Sequence, residues 1–470
     1  MRVKMILPAL TEATSPFFRP IKYSLFPPLG LASLAAYFAP HDEVTLQDEH
    51  VEQLDLSDEP ELVVIQVYIT NARRAYELAD LYRARGAHVC LGGLHVTSLP
   101  DEAAAHADTI FLGPGEDIWP QFLADFRAGT AQARYESQSR TLLGAPPIRR
   151  DLIKRHLYLC ANSLVVSRGC PHKCDFCYIG AFYTQGKHFY TQAVDAALAE
   201  IERLPGRHLY FLDDHLLGDP RFAAALFEGM KGMGRLFQCA STIQGILRPD
   251  LLGKAAEAGL RSLFVGFETL DSTNLREQNK RQNLNRDYAA AIGRARDCGA
   301  MINGSFVFGM DEDDESVFSR TVDWAVKQGI ETATFHVMTP YPGTALFRRM
   351  EAQERILHRN WDDYDTRHVV FRPTRLSPDA LERGYWRAYR DFYSWKNVWT
   401  GAQTKTRRGD RARHLAYAVG WKKFEPLWDA VIRARSAARM LPALESILAS
   451  FGARGEQAPK ALAALPANSA

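Results

Sequence analysis

Ser167-Arg168-Gly169-Cys170-Pro171-His172-Lys173-Cys174-Asp175-Phe176-Cys177-Tyr178 follows directly on the apolar run Leu164-Val165-Val166 and sets three thiols four and three residues apart. Three clustered thiolates can hold three corners of a cubane iron-sulfur cluster, whereas fully protein-ligated clusters normally take four cysteines. One iron would be left open for another ligand. The competing use of such thiols is structural zinc, which asks for a second cysteine pair or for histidines at ligand spacing. No second pair exists, and Cys90, Cys160, Cys239 and Cys298 lie singly along the chain. These four read as small buried apolar residues.

Seven cysteines in 470 residues, behind no secretory leader, describe a reducing compartment rather than a disulfide framework. Apolar residues at 46% and charged residues at 24% are ordinary for a large enzyme of two or three domains. The net charge of +2 gives no case for nucleic-acid binding. No apolar run reaches the roughly 18 to 20 residues of a membrane span. A cytoplasmic protein is expected.

Residues 1–135 alternate short β-like runs (Val3 to Leu7, Val44 to Gln47, Leu62 to Val67, His88 to Leu91, Thr109 to Phe111) with helical patterns at Leu29 to Phe38, Ala72 to Arg85 and Asp117 to Arg127. That alternation predicts a doubly wound α/β domain of Rossmann type, with a ligand crevice at its strand ends. Gly92, Gly93, Gly113 and Gly115 stand at those ends, where glycine either turns the chain or lets backbone approach a bulky ligand. A polar linker with Pro146-Pro147 spans 136–160. From 161 to 375, strands are expected at Leu164 to Ser167, His208 to Phe211, Phe237 to Ser241, Ser262 to Gly266, Ile302 to Phe308 and Thr332 to Val337, with helices between them. Residues 376–452 read as a helical domain with the aromatic anchors Tyr385, Tyr389, Phe392, Tyr393, Trp395 and Trp399. Its basic residues run from Lys405 through Arg407, Arg408, Arg411, Arg413, Lys422, Lys423, Arg433 and Arg435 to Arg439. A solvated face is the plain reading of that bias, and peripheral membrane contact the sharper one. Residues 453–470, rich in alanine and proline, read as a disordered tail.

The cysteine spacing after a first barrel strand closely resembles the radical S-adenosylmethionine (SAM) superfamily, and Phe176 matches that family as well. The resemblance implies a partial (β/α)6 barrel and a [4Fe-4S] cluster on Cys170, Cys174 and Cys177 whose open iron chelates SAM. Asp213 and Asp214, in Leu212-Asp213-Asp214-His215, stand where relatives receive the SAM ammonium group. A carboxylate suits that ion because a charge-assisted bond is stronger than a neutral one, although paired acids at a strand end also cap helices. Ser241 and Glu268 stand where relatives contact the ribose or methionine moiety. Ser305-Phe306-Val307-Phe308-Gly309 resembles the adenine-binding strand, with Ser305 in place of its first glycine.

Pro27-Pro28-Leu29-Gly30-Leu31, Gly92-Gly93-Leu94-His95-Val96-Thr97 and Gly113-Pro114-Gly115-Glu116 resemble a cobalamin-binding domain, which precedes the barrel in the cobalamin-dependent class of radical SAM enzymes. The resemblance implies cobalamin near Gly92, Gly93, His95, Gly113, Gly115 and Glu116. His50, in Asp48-Glu49-His50-Val51-Glu52-Gln53, departs from the cobalt-ligating Asp-x-His-x-x-Gly pattern. It follows the second strand rather than the first and lacks the glycine, so a surface histidine is expected. For the whole chain the resemblance implies a C-methyltransferase acting on an unactivated carbon of a small-molecule or lipid-like intermediate, with flavodoxin or ferredoxin as electron donor. A non-methylating radical enzyme (cyclisation, rearrangement or oxidation) and a non-catalytic corrinoid sensor are the alternatives.

Overall fold

The computed structural model describes residues 1–10, 25–183 and 186–420. Its first sheet joins β1 (Arg2–Leu7), β2 (Glu43–Asp48), β3 (Leu62–Gln66), β4 (His88–Gly92), β5 (Thr109–Leu112) and β6 (Arg134–Glu136) in the order β2-β1-β3-β4-β5-β6, every pair parallel. A parallel sheet must be covered on both faces, and period 2 divides β1 accordingly. Val3, Met5 and Leu7 join one core with Leu29, Trp119 and Phe122, while Ile6 joins the other with Ala75, Leu78 and Tyr82. β6 is a strand that the apolar pattern does not predict. Only Tyr135 of Arg-Tyr-Glu is buried there, so three residues at a sheet edge carry too little periodicity to be read.

The second sheet runs β14-β13-β12-β11-β10-β7, again all parallel, from β7 (Ser163–Leu164), β10 (His208–Phe211), β11 (Leu236–Ser241), β12 (Leu260–Glu268), β13 (Met301–Phe308) and β14 (Thr332–Val337). Six parallel strands in sequential order form the partial barrel. Its first strand is shorter than expected, because the chain leaves the sheet after Leu164. β8 (Ser167–Gly169) pairs antiparallel with β9 (Phe189–Thr191) instead. The backbone donors of Val166 and Ser167 turn to Asp213 Oδ1, and this diversion aims the cysteine loop across the barrel mouth.

Helices Pro378–Phe392, Trp395–Gln403 and Arg408–Ala418 close the described chain, the first two capped by the hydroxyls of Ser377 and Ser394. The first covers the free edge of β14. Tyr389 Oη accepts from Phe335 N at 3.1 Å, and Tyr393 Oη accepts from Ala333 N at 3.0 Å. An open strand edge is thereby satisfied by side chains. The aromatic anchors divide: Tyr385, Phe392 and Tyr393 are buried, whereas Trp395 and Trp399 are exposed. The basic residues from Lys422 onward and the expected tail lie outside the described residues. Among those described, no helix is long and apolar enough to cross a membrane.

Candidate functional site

Cys170, Cys174 and Cys177 sit half-buried in the loop between β8 and the helix Tyr178–Phe182, with Cys170 and Cys177 packed beside Ile179, Tyr183 and Tyr190. Burial pushes the Cys170 thiol up to about 11 and the Cys177 thiol up to about 12, and each thiolate also opposes its neighbours. Three thiols on one short loop are the donor set that a cationic iron centre would take, each losing its proton on binding. Among the described residues no three His, Cys, Asp or Glu side chains already converge as a finished metal cage. The fit therefore rests on the donors and their spacing.

A single carboxylate aims the loop. Asp213 is 2% exposed, and its Oδ1 accepts from Val166 N, Ser167 N and Ser167 Oγ. Its Oδ2 is buried without a partner. Burial raises the carboxyl to about 7 against the hydrogen bonds that lower it. Asp213 thus spends one oxygen on the backbone that leads into Cys170 and keeps the other, Oδ2, without a protein partner. Asp214 keeps an accessible face. One of its oxygens accepts from Gly169 N at 3.1 Å, and burial raises its carboxyl.

Ser241 and Glu268 end β11 and β12, Ser305 lies within β13 and Gly309 follows it, on the half of the strands where barrel sites form. Glu268 holds φ at +64°, a region costly for a residue with a Cβ, and its carboxylate pairs with the buried Lys280. Burial opposes the lysine's charge, yet Glu268 and the nearby thiolates hold it protonated above its usual range. Ser241 Oγ donates to Thr242 O at 3.1 Å. Gly309 N donates to Asp313 Oδ2, and a Cβ there would meet Leu381 at 2.6 Å, so glycine admits the C-terminal helix. Phe176 packs on the barrel core with Lys280 Nζ 5.7 Å from its ring centroid.

The segment 278–283 went unrecognised in the sequence. Asp175 N donates to Gln278 O at 3.0 Å, Asn279 Nδ2 to Lys173 O at 2.7 Å, and Gln282 Nε2 to Cys174 Sγ at 3.2 Å. Nothing local marks it except asparagines in the left-handed region at Asn279 and Asn285. Beside it a cavity of about 210 Å3 is lined by His172, His215, Thr242, Gln244 and Arg248. Burial lowers His215 to about 3, so the ring is neutral.

The first sheet's crevice opens onto the same loop. A cavity of about 320 Å3 at the ends of β3 and β4 is lined by Tyr68, Thr70 and His95 from the first domain and by Tyr178, Tyr341 and Tyr364 from the cysteine helix and barrel. Tyr68 and Tyr178 each keep 38% exposure there, and the Tyr178 ring meets Tyr341 edge-on at 6.1 Å between centroids. Aromatic faces with hydroxyl rims suit a ligand that is apolar in its body and polar at its edge.

Two contacts clamp the domains. Glu116 Oε1 accepts from Arg168 Nη2 at 2.5 Å and from Nε at 3.1 Å, which ties the first domain to the cysteine strand. His95 Nε2 lies 2.9 Å from Glu102 Oε1, and Glu102 Oε2 accepts from Trp361 Nε1 at 3.2 Å. A Cβ on Gly93, at φ +124°, would fall 2.7 Å from Val67 O, one on Gly92 3.3 Å from Phe111, one on Gly113 3.3 Å from Ser137 and one on Gly115 3.2 Å from Leu34. His50 is buried rather than on the surface, its Nδ1 2.8 Å from Asp48 Oδ1. The turn after β2 folds back over the sheet, and Tyr158 closes it by donating to Asp48 Oδ2 at 3.0 Å.

Residues 164–325 match the family model of the radical SAM superfamily, and 23–123 match that of the B12 binding domain. The chain is 29% identical over 391 residues to the bacteriochlorophyllide d C-12(1)-methyltransferase of Chlorobaculum tepidum, covering 80% of this chain and 85% of that one. It is 27% identical over 397 residues to the bacteriochlorophyllide d C-8(2)-methyltransferase of the same organism, with 79% and 86% covered. The fold resembles that of the radical SAM methyltransferase TsrM from Kitasatospora setae with cobalamin and a [4Fe-4S] cluster bound. That likeness has a TM-score of 0.62 at 14% identity and covers 93% of this chain and 99% of that one.

Proposed function

Because this chain belongs to the cobalamin-dependent radical SAM enzymes, we propose that it is a C-methyltransferase acting on an unactivated carbon of a small-molecule or lipid-like biosynthetic intermediate. The observation that carries this reading is the shared cavity: Tyr68 of the B12-binding domain and Tyr178, next to Cys177, line the same space. A methyl donor on one domain and a radical source on the other then face one substrate position. When bound, the [4Fe-4S] cluster, SAM and cobalamin supply the electron transfer, the hydrogen-abstracting radical and the methyl group.

The chain's own residues hold and orient. Cys170, Cys174 and Cys177 would ligate the cluster, Asp213 aims their loop, and the accessible oxygen of Asp214 would receive the SAM ammonium. Ser241 and Ser305 would face the ribose and adenine side, while Glu268 holds Lys280 in place. Tyr68, Tyr178 and Tyr341 would exclude water from the reacting carbon and orient a bulky substrate. A flavodoxin- or ferredoxin-type donor and a cytoplasmic setting belong to the same reading. So does a peripheral membrane contact through the exposed Trp386, Trp395 and Trp399.

The test is iron and corrinoid stoichiometry on protein purified anaerobically from cobalamin-supplied cells, followed by a search for transfer from methyl-labelled SAM. About four irons and one corrinoid per chain are expected. Cys174→Ala should lose the iron while the first domain stays folded. Iron without corrinoid would refute methyl transfer through cobalamin.

A further inference from the structure

Gln282 touches the cysteine loop, yet holding SAM, cobalamin or substrate gives it no task. It is 6% exposed, and its Nε2 donates to Cys174 Sγ at 3.2 Å. The backbone carrying it is fastened on both sides. Asn279 Nδ2 reaches Lys173 O at 2.7 Å and Asn283 Nδ2 reaches Gly266 O at 2.8 Å. Turns at Asn279 (φ 52°) and Asn285 (φ 54°) use the residue that best tolerates the left-handed region after glycine. The backbone that carries the amide is therefore held against the loop, and burial confines the side chain beside the sulfur.

We propose that Gln282 is a positioning residue that raises the reduction potential of a cluster held on Cys174, by donating its amide N–H to that sulfur. Cys170, Cys174 and Cys177 would hold the cluster, and a single electron from a low-potential flavodoxin- or ferredoxin-type donor would place one more negative charge on it and on these sulfurs. A fixed N–H aimed at a ligand sulfur stabilises the reduced form more than the oxidised one. Lys280, paired with Glu268, also favours a negative Cys174, and the Gln282 N–H adds to that charge a directed hydrogen bond of its own. The inference rests on the reading that Cys170, Cys174 and Cys177 ligate the cluster.

The experiment compares wild type, Gln282→Leu and Gln282→Glu after anaerobic reconstitution, by iron content and by a redox titration followed by electron paramagnetic resonance. The expected result is equal iron in all three and a midpoint potential more negative in Gln282→Leu, and more negative still in Gln282→Glu, whose carboxylate adds charge. SAM cleavage at one fixed potential should fall in the same order and recover with a stronger reductant. An unchanged midpoint in both variants overturns the inference. Loss of iron from both also overturns it, because Gln282 would then be a brace for the loop. Failure of the wild type to take up iron would overturn the cluster reading itself.

Discussion

Replacing Asp213 tests whether a buried carboxylate, rather than the apolar strand, delivers the cysteine loop to the barrel mouth. Asp213→Ala deletes an acceptor used by two backbone N–H groups and a hydroxyl, all buried, and at about 1 kcal/mol each the cost is about 3 kcal/mol. Asp213→Asn keeps an oxygen for those donors and removes the charge. Because the folded-state value is about 7 against an ordinary 3.8, the wild-type carboxyl favours folding fully below about pH 4. That contribution is lost as pH rises to about 7 and stays constant above. The asparagine variant does not titrate. Its stability relative to wild type should therefore rise by about 2 kcal/mol between pH 5.5 and 8, at 1.36 kcal/mol per unit over the 1.5 units below 7. Urea denaturation of the two variants and wild type at pH 5.5, 7 and 8.5, compared at each pH without cofactors, measures it. A flat difference for Asp213→Asn, or an alanine variant as stable as the asparagine one, would refute the reasoning.

Glu116→Ala should cost about 3 kcal/mol because it strands the half-buried Arg168 guanidinium. Glu116→Ala combined with Arg168→Met should cost less than the summed single changes, and a denaturation double-mutant cycle with no coupling would deny the clamp. Gly93→Ala forces a Cβ against Val67 O at positive φ, so about 2 to 4 kcal/mol should be lost; an unchanged melting temperature counts against that geometry. His50→Ala should lower the stability of the first domain by about 1 to 2 kcal/mol through the lost Asp48 contact, and stability equal to wild type would return the residue to the surface.

What the sequence by itself determined lies within short windows. Alternating apolar residues fix which face of β1 meets which core, so the parallel strands of both sheets except β6 were legible to within a few residues. The three thiols announce their chemistry because ligand spacing is a property of a single loop. Beyond that window the linear order is silent. The folded chain alone decided that Asp213 serves Ser167 across 46 positions, leaving Asp214 the accessible one, and that Gln282 reaches Cys174 across 108. It also buried His50, set Glu116 on Arg168, and stopped the first barrel strand at Leu164. Each of these is a polar group seeking a partner after the apolar cores have formed. A buried donor or carboxylate takes whichever partner the packing brings within about 3 Å, and that neighbour is a property of the fold, not of the spacing along the chain.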